Sequence, residues 1–190
     1  MKKFLKDKNG YTLVELLAVM VVLVAIGTIV SAIITSVLRG SNKANNIEQV
    51  RKNGGDALLQ IVKSIKFAQS FNGVSTDGVT YTTNCVTSSP PPSSPPQYPY
   101  LKITSFDGGK TTISCTSSTP QTIASNSASL IDTQNVAVTS CYFTCSASDI
   151  TQPPTIGVNF TLSQKNLGSF GEDKASIPFQ TSVTFRNLNK

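Results

Sequence analysis

Between Leu16 and Leu38 the chain reads LLAVMVVLVAIGTIVSAIITSVL, 23 residues without a charge. As a helix rising about 1.5 Å per residue, this run spans the roughly 30 Å hydrocarbon layer of a bilayer. An apolar surface of that length needs lipid or other apolar helices around it. Lys2, Lys3, Lys6 and Lys8 against Asp7 put +3 into the first ten residues. A basic flank of this kind stays in the cytoplasm, which places Arg39, Lys43 and the body outside. The expected location is therefore single-pass in the inner or cytoplasmic membrane, with the N-terminus inside. A secretory signal peptide fits poorly, because its apolar core is about 7–15 residues and a small-residue cleavage site follows it. Here Arg39-Gly40-Ser41 follows instead. A plain N-terminal anchor is the remaining simple alternative.

The plain anchor does not account for Glu15. A carboxylate one turn into an apolar helix costs a few kcal/mol unless it finds a partner. It stands in Asn9-Gly10-Tyr11-Thr12-Leu13-Val14-Glu15-Leu16-Leu17. A short basic leader, a glycine, an aromatic residue, Thr-Leu-Val-Glu and a long apolar run together resemble the prepilin signal of type IV pilins and type II secretion pseudopilins. Most members carry Phe where Tyr11 stands.

The resemblance implies cleavage between Gly10 and Tyr11 by a membrane aspartyl peptidase, and N-methylation of the new terminus at Tyr11. The partners it implies are that prepilin peptidase and methyltransferase, the membrane, and other pilin subunits. It also supplies a counter-charge for Glu15: the freed α-amino group of a neighbouring subunit, or its own. Pairing two charges in a low-dielectric helix bundle removes a penalty that each would suffer alone. Such a pair also sets the axial stagger of neighbouring helices. Gly27, Ser31 and Thr35 fall at intervals of four, a small-residue stripe that lets helices approach closely or is ordinary membrane-helix composition. Many major pilins have a proline within this segment, whereas the first proline here is Pro90, which fits minor pilins and pseudopilins better.

Past the membrane edge, Ile47, Val50, Gly54, Ala57/Leu58, Ile61/Val62, Ile65 and Ala68 recur at three and four, the signature of an amphipathic helix. Arg51, Lys52, Asp56, Lys63 and Lys66 lie off that stripe. Gly40-Ser41-Asn42 and Gly54-Gly55 are candidate breaks, the second also a candidate close approach of the body. Asn72-Gly73 reads as the helix C-cap. The organisation expected is a leader over 1–10, an apolar helix over 11–38, an amphipathic continuation over 39–72 and a β-rich head over 73–190.

The head holds 38 Ser plus Thr in its 118 residues. Tyr100–Ser105 and Thr111–Cys115 flank Phe106-Asp107-Gly108-Gly109-Lys110, a hairpin signal. Asn135–Ser146 reads as a strand, as do the strict alternations Ile156, Val158, Phe160, Leu162 and Phe179, Thr181, Val183, Phe185. The period of two predicts half-buried strands in a largely antiparallel sheet, lidded by the helix stripe. The fold class is α+β. The closing Phe179-Gln180-Thr181-Ser182-Val183-Thr184-Phe185-Arg186-Asn187 resembles the final strand of the J-like branch of minor pilins and pseudopilins.

Cys85, Cys115, Cys141 and Cys145 all lie on the expected outer side, an even count that argues for two disulfides. Three connectivities are open; the preferred one is Cys85–Cys115 with Cys141–Cys145, the latter needing a turn or bulge. A four-thiolate zinc site and free thiols are the rival readings. Ser88 to Pro99 is a proline-rich stretch expected to be extended, as a stiff exposed loop or as a ligand for an aromatic groove. Tyr81, Tyr98, Tyr100 and Tyr142 are candidates for surface or sugar contacts, or simply packing. Asn159-Phe160-Thr161 matches a glycosylation sequon inside an expected strand.

The chain has no histidine, which removes the commonest general base and most zinc sites. No acid–base pair, nucleotide loop or metal motif is recognisable, so neither an enzyme nor a cofactor is expected. From Val79 onward Lys102, Lys110, Lys165, Lys174, Arg186 and Lys190 nearly balance Asp107, Asp132, Asp149, Glu172 and Asp173. The net charge of +6 is thus no argument for a nucleic-acid partner. A DNA or surface ligand for the head stays unnamed. The function expected is a structural subunit, a minor pilin or pseudopilin whose helix enters an extracellular or periplasmic filament. The alternative is a membrane-tethered adhesin that never polymerises.

Overall fold

A computed structural model describes residues 11–86, 95–116, 121–149, 151–165 and 176–186. The chain divides into two compact units, one ending at Asn42 and one beginning at Lys43. A single helix, α1, runs Leu13–Lys66. Gly40-Ser41-Asn42 and Gly54-Gly55 do not interrupt it, contrary to the candidate breaks. In the first unit α1 is apolar, and every Leu, Ile, Val and Met from Leu13 to Leu38 is exposed. That segment is long and apolar enough to cross a membrane.

The second unit is α+β. Its helical part buries Val50, Gly54, Ala57, Ile61 and Ile65, the stripe expected from the three–four spacing. Among the described residues eight strands follow: β1 (Ser70–Ser75), β2 (Tyr100–Thr104), β3 (Lys110–Thr116), β4 (Thr122–Ser125), β5 (Ala128–Ser129), β6 (Val136–Ser146), β7 (Thr155–Gln164) and β8 (Ser176–Thr184). They form two sheets, β1-β2-β3-β4-β5 and β6-β7-β8, where the sequence had suggested one. All these strand pairs are antiparallel. Alternation reports which face of a strand is buried but not which strand it joins, so the division into two sheets had no sequence signal.

The core lies between helix and sheets. Ile61 and Ile65 from α1 meet Leu101, Ile103, Ile113 and Ile123 of the larger sheet and Phe143, Ile156, Phe160 and Leu162 of the smaller in one buried cluster. Each such side chain contributes about 1.5–3 kcal/mol on burial. Along β7 the alternation is complete, with Ile156, Val158, Phe160 and Leu162 inside. On β8, Ile177, Phe179, Thr181 and Val183 are half-buried, the strand ends at Thr184, and Phe185 is buried just beyond it.

The helix ends earlier than Asn72-Gly73 suggested. Its last turn tightens, with Phe67 N–H donating to the Lys63 carbonyl at 3.0 Å and Ala68 N–H to Ile65 at 3.2 Å. Asn72 and Gly73 lie instead within β1, at an irregularity in its register with β2. Gly73 has φ +124°, and a Cβ there would stand 2.7 Å from the Thr82 carbonyl oxygen. An Asn-Gly pair serves a helix cap and a strand bulge equally well, because both need a residue free of the Cβ penalty.

Gly54 realises the close approach: an added Cβ would overlap the Phe179 ring, which lies against the helix there. Gly55 meets nothing within 4 Å. Gly54→Leu is expected to destabilise the second unit by about 1–3 kcal/mol, the usual cost of overpacking. Gly55→Ala should be neutral or stabilising. Thermal unfolding of the two variants checks this; equal shifts would contradict the packing.

Candidate functional site

Thr12 starts the helix. Its hydroxyl oxygen accepts the N–H of Glu15 at 3.3 Å, and its carbonyl accepts the N–H of Leu16 at 3.2 Å. Thr12 is therefore the N-cap and Glu15 the third helical residue, the spacing of a capping box. A carboxylate in the first turn also faces the positive end of the helix dipole. This role of Thr12 is visible in the sequence as Thr-x-x-Glu, within the Thr-Leu-Val-Glu that carries the prepilin resemblance. Tyr11 precedes the cap and is 83% exposed. Gly10 and the basic leader lie outside the described residues.

Further along, Gly27 has nothing within 4 Å of a built Cβ. The hydroxyls of Thr28 and Thr35 donate to the carbonyls of Ala25 and Ser31, each at 2.8 Å. Their polar hydrogens are thus satisfied within the helix, as an apolar environment requires. Thr28, Ser31, Ala32, Thr35, Ser36 and Arg39 line a shallow open groove on this surface.

In the head the four cysteines form Cys85–Cys145 and Cys115–Cys141, with Cα separations of 5.2 and 5.5 Å. This corrects the preferred pairing. Cys141 and Cys145 both sit on the extended strand β6, four residues and about 13 Å apart, beyond disulfide reach. Cys115 on β3 instead meets Cys141, so this bond joins the two sheets. With no free cysteine among the described residues, neither the zinc nor the free-thiol reading describes this structure.

The four tyrosines form no single site, although Tyr81 lies near Tyr100 at the start of β2. The Lys102 ammonium lies 4.8 Å from the Tyr81 ring centre, Tyr98 exchanges backbone hydrogen bonds with Phe143, and Tyr142 pairs across β6 with Asn159 of the sequon. Of the proline-rich stretch, residues 88–94 lie outside the described residues. Arg51, Lys52, Asp56, Lys63 and Lys66 are all exposed.

A polar knot closes the loop after β1. Asp77 Oδ1 accepts from the Ser75 hydroxyl at 2.7 Å and from the N–H groups of Val79 and Thr80 at 2.9 Å each. These bonds to the charged form, the Ser75 hydroxyl first, lower its pKa from 3.8 to about 2. A depressed carboxylate pKa adds stability above the unfolded value that is lost as pH falls through the folded one. Asp77→Ala should therefore lower the melting temperature at neutral pH, and its difference from wild type should shrink between pH 3.8 and about 2. A difference that stays constant across that window would exclude this role.

No family model, no curated protein and no solved structure matches this chain.

Proposed function

We propose that the protein is a filament subunit of the type IV pilin-like class, processed by a prepilin peptidase and assembled through its N-terminal helix. The single observation that carries this reading is the capped start of α1. A lone carboxylate, Glu15, occupies its first turn immediately before a fully exposed apolar helix. In an isolated membrane anchor that charge gains only the cap and the helix dipole, whereas a bundle of such helices also gives it a cationic N-terminus to pair with. The exposed apolar surface is then covered by lipid before assembly and by neighbouring helices afterwards, with the open stripe at Gly27 allowing close approach. The α+β head, held by two disulfides, faces outward in the fibre. Within the class, the lack of a proline in the apolar segment favours a minor pilin or pseudopilin.

Mechanical shearing of native cells tests the reading. The protein is expected in the fibres released by shearing or, for a periplasmic filament, in those released when the envelope is opened without detergent. Recovery only in the membrane fraction would leave the non-polymerising tether in its place.

A further inference from the structure

One corner of the head carries an unusual surface. Gln69 N–H donates to the Thr104 carbonyl at 2.8 Å and Ser70 pairs with Thr104, so the end of α1 lies beside the β2–β3 turn. Phe67, just past the helix, is 65% exposed, and Phe106, in the turn, is 87% exposed. The turn is well braced. Ser105 N–H donates to the Gly109 carbonyl at 2.8 Å, Gly108 N–H to Ser105 at 2.9 Å, and the hydroxyls of Ser105 and Thr111 lie 2.8 Å apart. Phe106 is thus held out on a built support. Lys63 and Lys66 in the last turn of α1 are exposed, as is Lys110, which pairs with Thr104 at the base of the turn; among the described residues of the turn the one acid is Asp107.

We propose that this corner docks onto an anionic lipid membrane. Two projecting phenyl groups on separate elements suit a soft interface, where aromatic rings settle at headgroup level. The lysines, in excess by two over the acid, complement anionic headgroups while their stems lie along apolar surface. Each lysine near such a surface raises affinity about five-fold. The inference does not depend on whether the chain polymerises.

The test uses the full chain reconstituted through its own apolar helix into phosphatidylcholine vesicles. A second, fluorescent vesicle population is then added, either phosphatidylcholine alone or equimolar phosphatidylglycerol and phosphatidylcholine. The anionic vesicles should be recruited about ten-fold or more over the neutral ones, and raising the salt should weaken recruitment. Phe106→Ser and Phe67→Ser should each reduce it about five-fold or more, and Lys63→Glu with Lys66→Glu should abolish it. All four positions are exposed, so retention of both disulfides and an unchanged melting temperature identify folded variants. Equal recruitment of the two populations, or recruitment that survives these substitutions, overturns the proposal. Failure to recruit any vesicle while the same corner captures a protein overturns it as well.

Discussion

Replacing Glu15 with leucine will leave the chain in the membrane and remove it from sheared fibres. For a helix that only anchors, the exchange removes a charge whose insertion costs a few kcal/mol, so membrane retention should be unchanged or better. For a subunit in the proposed fibre, it strips the counter-charge from a buried α-amino group. Breaking one partner of a buried pair costs about 3–5 kcal/mol, more than a hundredfold in the assembly equilibrium. The capping geometry raises a competing account, because Glu15 also sits where a capping-box acid belongs, three residues after Thr12. Glu15→Gln separates the two. Glutamine serves a capping box but carries no charge. Fibres lost with both variants indicate charge pairing, while wild-type levels with glutamine would reduce Glu15 to a helix cap and contradict the assembly role.

The disulfides carry the second large effect. Cys85–Cys145 closes a separation of 60 residues and Cys115–Cys141 one of 26, nested inside it. Loop-closure entropy puts their contributions at about 4 and about 3.5 kcal/mol, against a total stability of about 5–15 kcal/mol for a typical domain. Serine at both Cys115 and Cys141 should therefore lower the melting temperature sharply, and full reduction should leave the head largely unfolded. Peptide mapping without reductant should recover Cys85 linked to Cys145 and Cys115 linked to Cys141. Recovery of a Cys141–Cys145 peptide would contradict the strand placement of β6.

Much of the architecture was legible because it rests on local periodicity. The three–four stripe from Val50 to Ile65 emerges as the buried helix face, and the turn at Phe106–Gly109 as the β2–β3 connection. Features that depend on long-range arrangement were not legible. The strand reading of Asn135–Ser146 already told against a Cys141–Cys145 bond, but which partners these cysteines take follows from how the two sheets bring β3 to β6. The β4–β5 hairpin was missed because its turn places Asn126 and Ser127 at φ +47° and +71° without a glycine to announce it. In the N-terminal segment, the apolar run and Glu15 stood out, and the Thr-x-x-Glu spacing carried the cap that the hydrogen bond from the Glu15 N–H to the Thr12 hydroxyl realises.

The central claim, that this chain is processed for entry into a fibre, is tested most directly by the intact mass and N-terminal sequence of the protein from its native cells. The expected result is a chain beginning at Tyr11 and carrying one added methyl group. A chain still beginning at Met1 would contradict the filament account and leave a tethered surface protein.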